Sequence, residues 1–227
     1  MSQSLSRADV VRDGVALVRN LLSQMYVDVG LMCQDVCLHE QILLAAQKLE
    51  PCLSIYIIGT GKSHHIASKT ASTMNTCGIK AYAPTCEELL HGSVGRIGEN
   101  NGVLILSKSG TTDEILKILS CIPLETLVIV ITANPNITPL GPYYFYISLS
   151  RDDEYDYLNL LPTRTATTTM IICDLLVACL AQMKKKTYND MSQNHPSGHV
   201  GKVLLQSCQD NFTIMNQEIF PIMDGNH

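Results

Sequence analysis

Apolar and polar positions follow two different periods along the chain. From about residue 7 to residue 49, apolar residues recur at spacings of three and four, which predicts amphipathic helices. The first helix carries a stripe formed by Val11, Val15, Val18, Leu22, Met25 and Val29. This stripe is long enough to meet a partner helix from a second subunit, or it packs across its own domain. A second helix, Leu38–Leu49, is expected to end before Pro51.

After residue 50, short β-branched runs alternate with helical segments. The predicted strands are Ser54–Ile58, Ile79–Ala83, Gly102–Leu106, Thr126–Thr132 and Tyr143–Ser148. The predicted helices are Lys62–Asn75, a short one opening at Glu87–Leu90, Asp113–Ser120 and Thr165–Lys184. Because strands that alternate with helices form a parallel sheet covered on both faces, we expect an α/β fold.

Composition and charge narrow the classes of function. The 227 residues carry a net charge of −5, and the longest basic run is Lys184–Lys186, so no nucleic-acid partner is expected. The longest apolar run, Met170–Met183, is shorter than the ~20 residues of a membrane span, and its Asp174 needs a partner if the helix is interior. Nine cysteines without a Cys-x-x-Cys pair favour free thiols, and the N-terminus is polar. We expect a cytoplasmic protein that does not associate with a membrane and that requires neither a metal ion nor a cofactor.

Hydroxyl groups and glycines cluster where predicted strands end. Gly59-Thr60-Gly61-Lys62-Ser63 opens a helix after the first strand, with a spacing that fits neither a Walker A loop nor a dinucleotide fingerprint. Ser107-Lys108-Ser109-Gly110-Thr111-Thr112, after the third strand, places four hydroxyls around a glycine. Since ligands bind at the carboxyl ends of parallel strands, these two clusters predict a phosphate site. A third cluster, Thr163–Thr169, either serves a ligand or caps the helix that follows.

Five stretches together resemble the sugar isomerase (SIS) domain family, and within it the arabinose 5-phosphate isomerases. They are Gly59–Ser63, His91-Gly92-Ser93-Val94-Gly95, Ser107–Gly110, Pro162-Thr163 with the threonines after it, and His195-Pro196-Ser197-Gly198-His199-Val200-Gly201. The resemblance implies a three-layer αβα sandwich with five parallel strands. It also implies one domain over residues 1–227, in a form without the CBS modules of many relatives. Its parts would be N-terminal helices for packing and oligomerisation (1–50), a phosphosugar-binding core (54–205) and a tail (206–227).

The resemblance also implies which residues form the site. The sugar phosphate would be bound by Gly61, Ser63, Ser107, Ser109, Gly110, Thr111, Thr112, Thr163 and Thr165. Lys62, Glu154 and His195 would act in catalysis, and His91 would be a further active-site histidine. Three carboxylates near Glu154 in sequence would raise its pKa if they lie close: Asp152, Asp153 and Asp156. Family members form dimers or tetramers with sites at subunit contacts, so His195 would act in a neighbour's site.

The activity that the resemblance implies is aldose–ketose isomerisation, with D-arabinose 5-phosphate and D-ribulose 5-phosphate interconverted through an enediol. Thr111 is a departure, because the family commonly has a glutamate directly after Ser-x-Ser-Gly. Two alternatives therefore stay open. One is an isomerase for another sugar phosphate, and the other is a sensor that binds a phosphosugar or nucleotide-sugar without turnover.

Overall fold

The computed structural model describes residues 7–136 and 141–194, with side chains for residues 13–136, 141–188, 190–191 and 194. The helices are α1 (Arg7–Gln34), α2 (Val36–Leu49), α3 (Lys62–Thr76), α4 (Cys86–Leu90), α5 (Asp113–Leu119), α6 (Arg164–Met183) and α7 (Tyr188–Asn194), with a short 3-10 helix at Ser93–Arg96. The strands are β1 (Ser54–Gly59), β2 (Ala81–Tyr82), β3 (Asn101–Leu106), β4 (Leu127–Thr132) and β5 (Tyr144–Ser148). All five predicted strands are confirmed.

The five strands form one parallel sheet in the order β2-β1-β3-β4-β5. The chain runs outward from β1 in one direction to β2 and then in the other direction through β3 to β5. The order therefore reverses between β1 and β3, and connections leaving the carboxyl ends of these two strands diverge. Parallel sheets bind ligands in the crevice at such a switch point.

Two hydrophobic clusters cover the two faces of the sheet, which confirms the predicted αβα layers. Because side chains of a strand alternate between faces, Ile55 and Ile57 of β1 join one cluster while Tyr56 and Ile58 join the other. The first cluster takes in α2, α3 and α6, and the second takes in α4 and α5. The strands are buried on both faces, as expected for a parallel sheet.

Helix α6 is the core helix of the first layer, in contact with α2 and α3. With 20 residues and an 18-residue window of mean hydropathy 1.6, it is the one helix in the described part of the chain that is long and apolar enough to cross a membrane. Eight of its residues are buried. Asp174 finds the partner it was expected to need, since it pairs with Lys69 of α3, although both side chains are about half exposed. The helix is therefore not buried all round.

Two elements differ from the sequence-based expectations. The second strand is paired only at Ala81 and Tyr82 within the described residues, where β1 is its one neighbour and Pro84 soon follows. The α1 stripe does not pack across its own domain at the positions whose side chains are described from Val15 to Leu22. Val15, Val18 and Leu22 are each about half exposed on the single chain. Further along the stripe Val29 is 45% exposed, while Met25 is partly buried. A partner helix from a second subunit stays a prediction.

Candidate functional site

A cavity of about 600 Å³ lies at the carboxyl edge of the sheet, at the switch point between β1 and β3. It is lined by residues from four connections: Thr60, Lys62, Ser63, Leu106, Ser107, Lys108, Ser109, Thr111, Thr112, Ala133, Asn134, Pro135, Asp152 and Pro162. A larger cavity of about 790 Å³ lies beside the edge strand β2, between α3 and α4. None of the predicted site residues that the structure describes line that larger cavity. The smaller cavity is therefore the candidate functional site.

The turn after β1 supplies one wall of the cavity. Gly61 has a φ of 54°, a conformation that glycine adopts far more easily than other residues, and it is the N-cap of α3. This turn places Lys62 and Ser63 in the first turn of α3, where both line the cavity. Lys62 is exposed, and it forms no ion pair within the described residues. Its ammonium group is thus available to a ligand.

The loop after β3 supplies a second wall that is rich in hydroxyl groups. Ser107 is buried, and its Oγ lies 3.1 Å from Thr112 Oγ1 and accepts the N–H of Gly110 at 3.1 Å. Gly110 has a φ of 67°, which lets the loop fold back on itself. The Ser109 Oγ accepts the N–H of Thr111 at 3.2 Å. These bonds fix a compact loop before a ligand arrives.

Asn134 ties this loop to the next strand. Its side-chain amide donates to the Ser109 carbonyl at 2.9 Å, and its own N–H is bound by Thr132 Oγ1 at 3.1 Å. Thr132 Oγ1 also donates to the Lys108 carbonyl at 3.0 Å. The ends of β3 and β4 therefore hold the hydroxyl loop as one rigid unit.

Glu154 lies behind the cavity wall and is buried, with its side chain 1% exposed. One carboxylate oxygen, Oε2, accepts the N–H groups of Thr163 at 2.9 Å and Thr165 at 3.2 Å, so the carboxylate caps the start of α6. The other, Oε1, accepts the Thr165 hydroxyl and, at 3.0 Å, the ammonium of Lys108. The threonine cluster thus serves Glu154 as well as the helix start.

The expected rise in the pKa of Glu154 is wrong. Burial by itself raises that pKa, but hydrogen bonds from Thr165, Lys108 and Thr163 outweigh it and lower the pKa below the usual range. Two of the three neighbouring carboxylates are bound by other groups. Asp153 pairs with Arg151 and Arg164, and Asp156 accepts backbone N–H groups in its own turn.

This lowered pKa predicts an acid dependence of stability. The unfolded chain takes up the Glu154 proton near its ordinary pKa of roughly 4.3, while the folded chain takes it up at lower pH. The ionised Glu154 therefore makes its full contribution to the stability of the fold above its pKa in the unfolded chain. This contribution is lost as the pH falls through its lower pKa in the folded chain. We expect Glu154→Gln to flatten the fall of the thermal midpoint between about pH 5 and pH 3. Glu99→Gln, at an exposed carboxyl before β3, is the control that should keep the wild-type slope.

A buried ion cluster fixes the segment that carries Asp152 and Glu154. Arg164, 2% exposed, donates to Asp28 of α1 at 2.8 Å and to Asp153, and its third donor reaches Gln24 at 2.9 Å. The Tyr155 hydroxyl also donates to Asp28 at 2.6 Å, and burial together with this carboxylate raises the pKa of Tyr155 to about 12. Helix α1 therefore anchors the segment from behind.

Not every predicted site residue lies in the cavity. Those that line it are Lys62, Ser63, Ser107, Ser109, Thr111 and Thr112. Gly61 and Gly110 shape the two loops, and Thr163 and Thr165 bind Glu154. His91 is exposed at the end of α4 and does not line the cavity, and His195 lies outside the described residues.

Eight lining residues were not predicted as site residues, and three of these carry a charged or amide side chain: Lys108, Asn134 and Asp152. The signal that could have found Asn134 is its position two residues after a predicted strand, where parallel sheets place ligand contacts. Lys108 stands inside the predicted phosphate loop itself. Only the fold brings Asp152 to the same edge, because it follows the last strand across a connection without regular structure.

Comparison with known proteins identifies a matching family and several relatives of this chain. Residues 48–179 match the SIS domain family model. Arabinose 5-phosphate isomerase KdsD of Pseudomonas aeruginosa is 29% identical over 211 residues, which is 92% of this chain and 62% of that protein. The protein of the same name from Francisella tularensis is 34% identical over 157 residues, 69% of this chain and 48% of its own length. The chain spans about half to three-fifths of the length of these curated relatives.

A protein of E. coli CFT073, solved in complex with arabinose 5-phosphate, has a similar structure. The TM-score is 0.69 at 25% sequence identity, and the match covers 85% of this chain and all of that one. A putative sugar-phosphate isomerase from Listeria monocytogenes gives a TM-score of 0.68 at 20% identity and covers 86% of this chain and all of its own, which supports the fold alone.

Proposed function

The chain belongs to the SIS domain family, and we propose that it is a sugar-phosphate aldose–ketose isomerase that interconverts D-arabinose 5-phosphate and D-ribulose 5-phosphate. The observation that carries this proposal is the cavity at the switch point. An available lysine and a rigid loop of hydroxyls line this cavity, and Lys108 in its wall pairs with the buried Glu154 behind it. The names of the relatives support the reaction class.

Phosphate binding is assigned to the two loops. The hydroxyls of Ser107, Ser109, Thr111 and Thr112, with Ser63 across the cavity, would hold the phosphate oxygens. A phosphate held away from the reacting carbons supplies binding energy that positions the carbonyl end of the sugar. Because the loop is already ordered by its own hydrogen bonds, little ordering is needed when the ligand binds.

The chemical step needs a base, a cation and an acid for ring opening. Glu154 would remove the proton at C2 of the open-chain aldose, and the ammonium of Lys62 would stabilise the oxyanion that develops at C1. A proton then passes from O2 to O1, and the carbon-bound proton or one from solvent returns at C1, so that C2 becomes the carbonyl of the ketose. His91 and His195 are the candidates for ring opening, since imidazole exchanges protons near neutral pH. The exposed position of His91 fits a site that a second subunit completes.

The direct test is an NMR assay with D-arabinose 5-phosphate in deuterated buffer. We expect D-ribulose 5-phosphate to form, with deuterium entering at C1 by way of the enediolate. A sugar phosphate that binds saturably but is never converted would favour the other candidate function, a sensor. Thr111 is the observation that favours that alternative, because it replaces a family carboxylate at a position that lines the cavity.

Assembly and location stay proposals. The half-exposed apolar side chains of α1 support a homodimer or homotetramer, with α1 as part of the contact. A cytoplasmic location fits the free thiols of the eight described cysteines. Sedimentation of the purified chain would measure the oligomeric state.

A further inference from the structure

Lys108 connects the hydroxyl loop with the Glu154 segment. Its backbone carbonyl is fixed by the N–H of Ala133 and by Thr132 Oγ1, each at 3.0 Å. Its side chain lines the cavity, is 43% exposed, and places Nζ 3.0 Å from Glu154 Oε1. The backbone of Lys108 is therefore fixed, while its ammonium group sits at the boundary between the buried carboxylate and the open cavity.

Glu154 already accepts as many hydrogen bonds as a carboxylate holds. Oε1 receives the Lys108 ammonium and the Thr165 hydroxyl, and Oε2 receives the N–H groups of Thr163 and Thr165. The Thr163 hydroxyl also lies 3.5 Å from Oε2, but its single hydrogen is directed to the nearer Leu161 carbonyl at 3.1 Å, which leaves four donors. Two oxygens offer about four lone-pair sites in total. A carboxylate in this state has no lone pair left for a proton from a substrate carbon.

One of the four donors must leave before Glu154 can act as a base, and they differ in mobility. The two N–H groups belong to the fixed start of α6, and the hydroxyl belongs to the buried side chain of Thr165. Lys108 is the exception, since its ammonium stands on a flexible, half-exposed stem. It is the donor that can move at least cost.

The ammonium of Lys108 also has unused capacity. It carries three N–H donors, and Glu154 takes one of them. Among the described residues, Glu154 is its one ion-pair partner. An anionic ligand in the cavity would be the natural acceptor for the remaining donors.

We propose that Lys108 is a ligand-binding residue whose ammonium group passes from Glu154 to the sugar phosphate when the ligand binds, and that this exchange frees Glu154 Oε1 for proton transfer. The inference rests on the proposed function and adds to it a residue that makes the base available only when a ligand is present. Lys108 then contacts the anion and also controls when Glu154 can accept a proton. No covalent bond is made or broken in this exchange, because the ammonium only changes its acceptor.

The exchange predicts opposite effects of two substitutions on binding. In Lys108→Met the contact with the anion is lost, and the dissociation constants for inorganic phosphate and D-arabinose 5-phosphate should rise about tenfold or more, as for a hydrogen bond to a charged group. In Glu154→Gln the competing carboxylate charge is removed, so both probes should bind several-fold more tightly. The double variant Lys108→Met with Glu154→Gln should bind as weakly as Lys108→Met alone. Calorimetric titration at fixed pH and low salt measures all four proteins.

Controls separate this exchange from a structural ion pair. Lys117→Met removes a lysine from the exposed side of α5 and should leave binding unchanged. Lys108→Arg should restore most of the affinity, because the cation is kept. If Lys108→Met folds poorly, the double variant keeps the test valid, since it leaves no unpaired buried charge. A Glu154→Gln variant that binds more weakly than the wild type, or as well as it, would overturn the exchange, as would wild-type affinity in Lys108→Met. Failure of the wild-type protein itself to bind either probe would instead overturn the proposed function.

Discussion

Lys62→Ala is expected to lower kcat for D-arabinose 5-phosphate by about 10² to 10³-fold, the loss typical when one group that stabilises an oxyanion is removed. Lys62 lines the cavity from the first turn of α3 and is exposed, so its loss removes charge from the site without opening the core. Steady-state kinetics would measure the loss. The thermal midpoint should stay within the range of an ordinary surface substitution.

Lys80→Ala is the matched control for this prediction. Lys80 is an exposed lysine just before β2, away from the cavity, and its replacement changes the net charge by the same amount. Unchanged kinetics in Lys62→Ala would remove Lys62 from the mechanism. A loss of kcat in both variants would point to net charge and not to position.

Arg164→Met is expected to lower the free energy of unfolding by about 3–5 kcal/mol, the cost of breaking a buried ion pair at one partner. The substitution leaves the buried Asp28 carboxylate with the Tyr155 hydroxyl and with Arg151, whose nearest nitrogen is 3.8 Å from Asp28 Oδ1. It also removes the guanidinium that packs 4.5 Å from the centre of the Tyr155 ring. Urea denaturation would measure the change.

The contrast with Arg151→Met isolates the cause of that effect. Arg151 is 43% exposed and pairs with the half-exposed Asp153. It also lies 3.8 Å from the buried Asp28, but Asp28 keeps its 2.8 Å contact with Arg164, so the loss of Arg151 should cost less than about 1 kcal/mol. Combining Arg164→Met with Asp28→Asn should recover part of the stability, because the carboxylate left without its partner is removed as well. Equal losses in Arg151→Met and Arg164→Met would contradict the assignment of the effect to burial.

The loops at the carboxyl edge were readable from the sequence because each is local. Gly61 and Gly110 stand where the turns need positive φ, and hydroxyls follow directly after β-branched runs. A parallel sheet brings the ends of neighbouring strands to one edge, so two clusters far apart in the sequence could be expected to meet. Lys62, Ser63, Ser107, Ser109, Thr111 and Thr112 met as predicted.

The state of Glu154 was not readable in the same way. The three carboxylates close to Glu154 in the sequence suggested like-charge repulsion, which would raise the pKa of Glu154. The fold instead supplies donors from Thr163, Thr165 and Lys108, the last 46 positions away, and the pKa is lowered. The direction of a pKa shift depends on distances and burial, which spacing along a chain does not contain.

The sequence by itself determined a parallel sheet covered by helices on both faces, its strands and the two loops of the site, because periodicity, turn glycines and strand-end positions are local physical properties. Only the tertiary structure decided which charges pair. It joined Asp28 of α1 to Arg164 across 136 positions and placed Lys108 between Glu154 and the cavity. Such contacts depend on how the layers of helices pack on the sheet, and this packing results from many weak interactions over the entire core.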